Sequence, residues 1–305
     1  MKKNLSVLFC LVMMQCIIAK NVKAQGCSDA GFCTMNSFKP QDEVIDRTEN
    51  NQLKFGVSYG AADNNISALA NYIEYHRAIS KRFSFDLKLT TLAQVGNSIS
   101  VFGLSDVFLN GNLGLTDAWT VTAGIKVPLT DGNKMLDNKP LPMDYQSSLG
   151  TYDLLFGTAY QIQKFQFVAA IQQPLTQNSN SFVAEDYPNT SALNSFLTTN
   201  KFVRAGDVLL RVSYPFIIND KLSITPSILP IYHLAEDRYT DSTGTELNIK
   251  GSSGLTVNAN AFIDYALSKS SSLQLNMGFP FVVRDVRPDG LTRGFVMNLE
   301  YRIRF

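Results

Sequence analysis

The chain has 305 residues, of which 45% are hydrophobic and 17% charged, with a net charge of +1. The charged share lies below the ~25% usual in soluble domains, and the near-zero balance leaves no electrostatic footprint for nucleic acid. Beyond the first two dozen residues no apolar run approaches the ~18 residues of a membrane helix. A barrel stays open as a reading, because only alternate residues of its strands face lipid.

The N-terminus has the layout of a secretory signal. Lys2 and Lys3 precede an apolar stretch from Leu5 to Ala19, broken only by Ser6 and Gln15, and Val22-Lys23-Ala24 supplies a cut site before Gln25. Residues 1–24 are therefore expected to be removed. The short apolar core without a stop-transfer flank argues against a retained anchor helix. Ala24-Gln25-Gly26 lacks the bulky aliphatic residue that lipidation at Cys27 would need. Cys10 and Cys16 leave with the signal. Cys27 and Cys33 remain as an even pair in an oxidising compartment, with Gly31 between them to turn the chain, and a small disulfide loop is expected. Redox pairs are normally two residues apart and zinc sites need further ligands.

Residues 25–51 are polar and aperiodic and read as an irregular lead-in. From residue 52 to 305 the dominant period is two, as in Phe83, Phe85, Leu87 and Leu89, or Trp119, Val121, Ala123, Ile125 and Val127. Successive side chains of a strand point to opposite faces, so such runs carry one apolar and one polar face. Twelve strands are expected: 52–62, 67–79, 83–94, 99–115, 118–128, 149–163, 165–174, 206–217, 221–234, 253–267, 271–284 and 292–305. They exceed the ~5–6 residues of soluble strands and match the ~9–11 that cross a bilayer at a tilt. The predicted fold is all-β, a transmembrane antiparallel up-and-down β-barrel of about twelve strands.

The connections agree. Tight joints at 80–82, 116–117, 164, 218–220 and 268–270 alternate with mostly longer ones, 129–148, 175–205, 235–252 and 285–291, while 63–66 and 95–98 are short. Short turns on the periplasmic side and longer loops outside are the habit of outer-membrane barrels. An even strand count puts both ends on the tight-turn side. Phe83, Trp119, Phe165, Phe216, Tyr265 and Phe305 then fall where an aromatic girdle belongs. The last strand alternates Phe295, Met297, Leu299, Tyr301, Ile303 and Phe305 with polar residues. This pattern resembles the C-terminal signal read by the barrel-assembly machinery. Pro226 and Pro230 fit poorly inside 221–234, where a bulge or locally broken pairing is expected.

No constellation for chemistry emerges. His76 and His233, the only histidines, fall at opposite ends of the expected barrel with no close His/Cys/Asp/Glu cluster. Asp131-Gly132-Asn133 lacks the remaining oxygen ligands of a calcium loop and reads as a turn. No cofactor, metal site or catalytic residue is expected. The residues of interest are those predicted to line the lumen: Glu74, Asp86, Lys88, Asp106, Lys126, Asp153, Arg211, Asp264, Glu300, Arg302 and Arg304. They either line a wet pore or neutralise one another across the lumen.

Three stretches carry a family resemblance: Gly103-Leu104-Ser105-Asp106 with Gly114-Leu115, Ala123-Gly124-Ile125-Lys126-Val127-Pro128 followed by Asp131-Gly132, and Gly150-Thr151-Tyr152-Asp153-Leu154-Leu155-Phe156-Gly157. Within 103–157 the chain resembles the outer-membrane transporter-like family named for the MetA pathway of phenol degradation. The cysteine lead-in and the Ala-Gln cut site resemble Bacteroidetes-type outer-membrane proteins. The resemblance implies a barrel in the outer-membrane lipid that passes small hydrophobic or aromatic solutes by passive diffusion. The alternative is a closed structural or partner-binding barrel without transport.

Overall fold

The computed structural model describes residues 35–40, 50–289 and 293–305. The expected signal peptide and the Cys27–Cys33 pair lie outside the described residues. Twelve strands build the wall: β1 (Asn51–Ala62), β2 (Ser67–Ala78), β3 (Phe83–Gly96), β4 (Ile99–Gly114), β5 (Trp119–Pro128), β6 (Asp153–Ile162), β7 (Phe165–Pro174), β8 (Asp207–Ser213, resuming as Phe216–Asn219), β9 (Leu222–His233), β10 (Gly254–Ala266), β11 (Ser271–Val282) and β12 (Arg293–Arg304). Each pairs antiparallel with its neighbours in sequence. β1 pairs with β12 from Gln52↔Arg304 to Gly60↔Val296, closing the sheet without an edge. Asn51 and Phe305 exchange two backbone hydrogen bonds of 3.1 Å, so the wall begins and ends at one rim.

Burial is inverted relative to a soluble protein, where large apolar side chains are inside. Ile73, Leu87, Leu109, Phe156, Ile228 and Leu299 are 43–53% exposed on the outer face, while Lys54, Glu74, Lys88, Lys126, Asp153 and Glu300 are at most 1% exposed within. An apolar belt around a polar interior is the distribution a membrane-spanning barrel requires. Phe83, Trp119, Phe165, Phe216, Tyr265 and Phe305 are all exposed at the tight-turn rim.

Local chemistry sets the details. At the short opposite-rim turns, Asn64 with Asn65 and Asn97 with Ser98 take positive φ, the conformation that matches strand twist in a tight hairpin. β6 starts at Asp153 rather than at 149, because Gly150 sits at φ +69° and Leu149 is buried among loop residues. β8 is interrupted at Tyr214-Pro215, inside the expected 206–217. Pro226 and Pro230 do not interrupt β9, which pairs continuously with β10 through Pro226↔Ala261 and Pro230↔Val257. The irregularity falls on its other side, where pairing with β8 skips from Leu209↔Ile231 to Val212↔Ile228. The proline nitrogen has no hydrogen to give, so the ladder thins on the edge that would have needed it.

A charge on the belt should be costly. Ile73→Arg, near the middle of β2, is expected to destabilise the barrel by about 2–4 kcal/mol in equilibrium urea unfolding from lipid vesicles.

Candidate functional site

The lumen holds the polar chemistry of the molecule. Of the eleven residues expected there, ten are buried inside the wall, and Arg304 is half-buried at the tight-turn mouth. Most of them are brought together in ion pairs. Lys54 Nζ lies 2.7 Å from Glu74 Oε1, and Lys88 Nζ 4.0 Å from Glu74 Oε2. Arg302 contacts Glu300 at 2.5 Å and Asp264 at 3.2 Å, and Gln274 donates to Asp264 at 2.8 Å. Tyr72 donates its hydroxyl to Glu300 and lies flat beneath Lys88 Nζ, 4.2 Å from the ring centre. Gly56 makes room for that ring: a Cβ there would stand 2.1 Å from it.

The motifs of residues 103–157 meet on the neighbouring wall. Lys126 and Asp153, opposite each other on β5 and β6, form an ion pair of 2.9 Å that is 0% exposed at both ends. Thr151 donates to Asp153 Oδ1 at 2.6 Å, and Gln172 donates to Asp153 Oδ2. A bulge sets Ser105 and Asp106 of β4 against Thr90 of β3, so that both point inward. Asp106 then accepts from Ser105 at 2.7 Å and from Ser148, in the following long loop, at 2.6 Å. These acidic and basic positions thus anchor loop to wall. Asp131-Gly132-Asn133 is a turn, with Asn133 N donating to Asp131 Oδ1 at 3.1 Å and Gly132 at φ +73°.

A separate piece of chain occupies the space between the walls. Residues 35–40 lie inside the barrel, with a single 3-10 turn at Asn36–Phe38. Lys39 Nζ reaches Glu300 at 2.7 Å. Lys54 donates to Asn36 Oδ1 at 2.6 Å, Asn36 donates to Asp86 at 3.2 Å, and Arg211 donates to the Phe38 carbonyl. Met35 and Phe38 pack with Phe108, Leu155, Val168, Ala170, Leu209, Leu229 and Ile231 in one buried cluster. This apolar patch inside a polar lumen has no counterpart in the strand alternation, and it becomes intelligible once Phe38 is seen to fill it. Gly157 faces the same ring, and a Cβ there would stand 2.7 Å from it.

Beneath this segment a cavity of about 330 Å³ opens toward the tight-turn mouth, lined mainly by amides and hydroxyls such as Gln52, Asn112, Thr120 and Gln166. His76 stands at its edge with Nδ1 2.7 Å from Asp86. At the other end the long loops fold inward. Met143, Leu149, Phe202 and Ile249 pack on Ala68, Ala70 and Leu92 of the wall, and Tyr145, Phe182, Leu193 and Phe196 close around Ile66 and Val101.

The sequence reading left both histidines without partners. His76 instead pairs with Asp86, and His233 sits between Asp207 and Asp237. The signal that could have found the second was the spacing of His233 and Asp237, four apart at a strand end. Asp207 is supplied by the neighbouring strand and could not be read locally.

No family model matches the chain, and the resemblance of residues 103–157 therefore carries no assignment. Among solved structures the chain is similar to the NanC porin (10% identity, TM-score 0.45, covering 84% of this chain and 98% of that one). It is similar also to the translocator domain of the autotransporter NalP from Neisseria meningitidis (8%, 0.45, 85% and 90%) and to the CymD monoaromatic hydrocarbon channel (10%, 0.41, 84% and 89%). The architecture described above rests on the strand pairing itself.

Two substitutions address the docking of the segment. Phe38→Ala, which empties a fully buried site, should weaken docking by about 3–5 kcal/mol. Gly157→Leu should displace the Phe38 ring while leaving the wall paired. In both, amide hydrogen exchange at residues 35–40 should accelerate while that of β1 and β12 stays unchanged.

Proposed function

We propose that the chain is an outer-membrane channel for small solutes that the N-terminal segment closes from the periplasmic side. One observation carries the reading: a piece of chain that belongs to no strand fills a lumen whose walls pair their charges. Two lysines, one arginine and one amide hold it, with one aromatic ring in an apolar recess. Withdrawal of residues 35–40 would leave a passage lined on one side by Lys54, Glu74, Lys88, Glu300 and Arg302 and on the other by Phe108, Leu155, Leu209 and Leu229. Solutes would cross by passive diffusion, with no catalytic step and no cofactor. The hydrophobic or aromatic solutes implied by the family resemblance would travel along the apolar side. The expected signal peptide, the belt and the alternating last strand support export to the outer membrane and insertion there by the barrel-assembly machinery.

A second reading, a closed structural barrel, is favoured by the inward-folded loops, which cover the outer mouth independently of the segment. Planar-bilayer recording separates the two. The mature chain is expected to be mostly silent, and a variant lacking residues 25–49 to give stable current steps that small aromatic solutes interrupt. Silence from the truncated barrel at both pH 7 and pH 9.5, with folding shown by its heat-dependent mobility on gels, would favour the closed barrel.

A further inference from the structure

Six charged side chains form a buried cluster at the outer end of the lumen that the channel reading leaves without a role. His233, the last residue of β9, has Nδ1 2.7 Å from Asp207 Oδ1 and Nε2 2.8 Å from Asp237 Oδ1. Arg204 pairs with the other oxygen of Asp207. Arg284 donates to Asp289 at 2.7 Å and lies 4.0 Å from Asp237 Oδ2. All six are at most 5% exposed. Each ring nitrogen of His233 thus faces a carboxylate oxygen at hydrogen-bond distance, and both contacts are satisfied only when the imidazole carries a second proton. A neutral imidazole has one N–H, so one carboxylate would face a ring lone pair, leaving a buried charge uncompensated.

The cluster also joins parts of the chain that would otherwise separate. Arg204, Asp237 and Asp289 belong to three different long loops, while Asp207 and His233 are the outer ends of β8 and β9. Asp237 further accepts from Ala205 N at 2.9 Å, its own N–H donates to Ser252 Oγ at 2.8 Å, and Arg284 donates to the Ser252 carbonyl at 2.7 Å. The register partners on the neighbouring strands are uncharged: Gln172 of β7 stands opposite Asp207, and Gly254 of β10 opposite His233. Glu236, next to Asp237, accepts from Gly251 N at 3.3 Å.

We propose that His233 is a proton-dependent latch that holds the three outer loops shut over the barrel while its imidazole is doubly protonated, and frees them when that proton leaves. The inference goes beyond the channel reading, since the loops would release whether or not the lumen conducts. The sign follows from linkage. The closed cluster binds one proton that the opened one lacks above the ordinary histidine value of ~6.5, so closure weakens as pH rises, and the opening constant grows up to about tenfold per pH unit. Asp144, on another loop, titrates in the same range: burial pushes its carboxyl up to about 7, Asp63 and Asp289 push in the same direction, and a hydrogen bond from Asn64 opposes them. A control must therefore retain Asp144.

The test is hydrogen exchange of the mature chain in lipid nanodiscs between pH 7 and 9.5, corrected for intrinsic rates and read at residues 200–206, 234–253 and 283–289. Wild type should lose up to about tenfold protection per pH unit, and His233→Gln, which keeps Asp144, should show low protection without that slope. Wild-type protection that is flat with pH, or the same slope in His233→Gln, would overturn the latch. Should the variant fail to fold, nitrogen NMR of the wild-type ring decides: two protonated ring nitrogens on His233 at pH 7 are required, and one would refute the proposal.

Discussion

The rest of the structure depends on one constraint: no water is present in the hydrocarbon to satisfy a backbone polar group. The sheet must therefore close on itself, which it does through β1 and β12. Closure in turn fixes the side chains, because strands facing lipid outward must put their alternate residues inward. Those inward residues include Lys54, Glu74, Lys88, Lys126, Asp153, Asp264, Glu300 and Arg302, confined to an enclosed space. Charges in such a space need partners nearby. The ladders Lys54–Glu74–Lys88 and Lys39–Glu300–Arg302–Asp264 follow from that need as much as from any task the lumen performs.

What was legible in the sequence is what the period of two encodes. Phe83 to Leu89 and Trp119 to Val127 announce strands because every second residue is apolar, and that regularity places most strand ends within a few residues. Features that break the period, or that depend on a distant strand, were not legible. The bulge pairing Thr90 with Ser105 and Asp106 turns two consecutive residues inward, which alternation alone reads as one in and one out. The interruption of β8 at Tyr214-Pro215 was read as continuous strand because Val212, Tyr214 and Phe216 keep the alternation across it. The apolar lumen residues Phe108, Leu155, Leu209 and Leu229 look like lapses in the pattern until Met35 and Phe38 are placed against them. The lumen charges were visible as a set, since each sits in the inward register. Their pairings were not, because partners such as Asp207 and His233 come from different strands whose register is set by the whole barrel.

The lumen is closed at its two ends by different chemistry. Toward the tight turns the closing element is a short segment docked by one ring in one recess and by polar contacts to wall residues that include Lys54, Asp86, Arg211 and Glu300. Toward the long loops it is packed side chains from several loops, tied to the wall by the His233 cluster. The first kind of closure rests on one short segment, which can leave its recess as a unit. The second cannot, since its apolar clusters are spread over three connections and each loop is held by the others. It yields instead to the loss of one proton, because a neutral His233 can donate to only one of the two carboxylates that face its ring. A barrel with both closures would respond to two unrelated inputs, mechanical or binding events at the periplasmic segment and proton activity outside. The Thr151–Asp153 and Ser148–Asp106 contacts bind the loop after β5 to the wall and give the outer cap an attachment that does not involve residues 35–40.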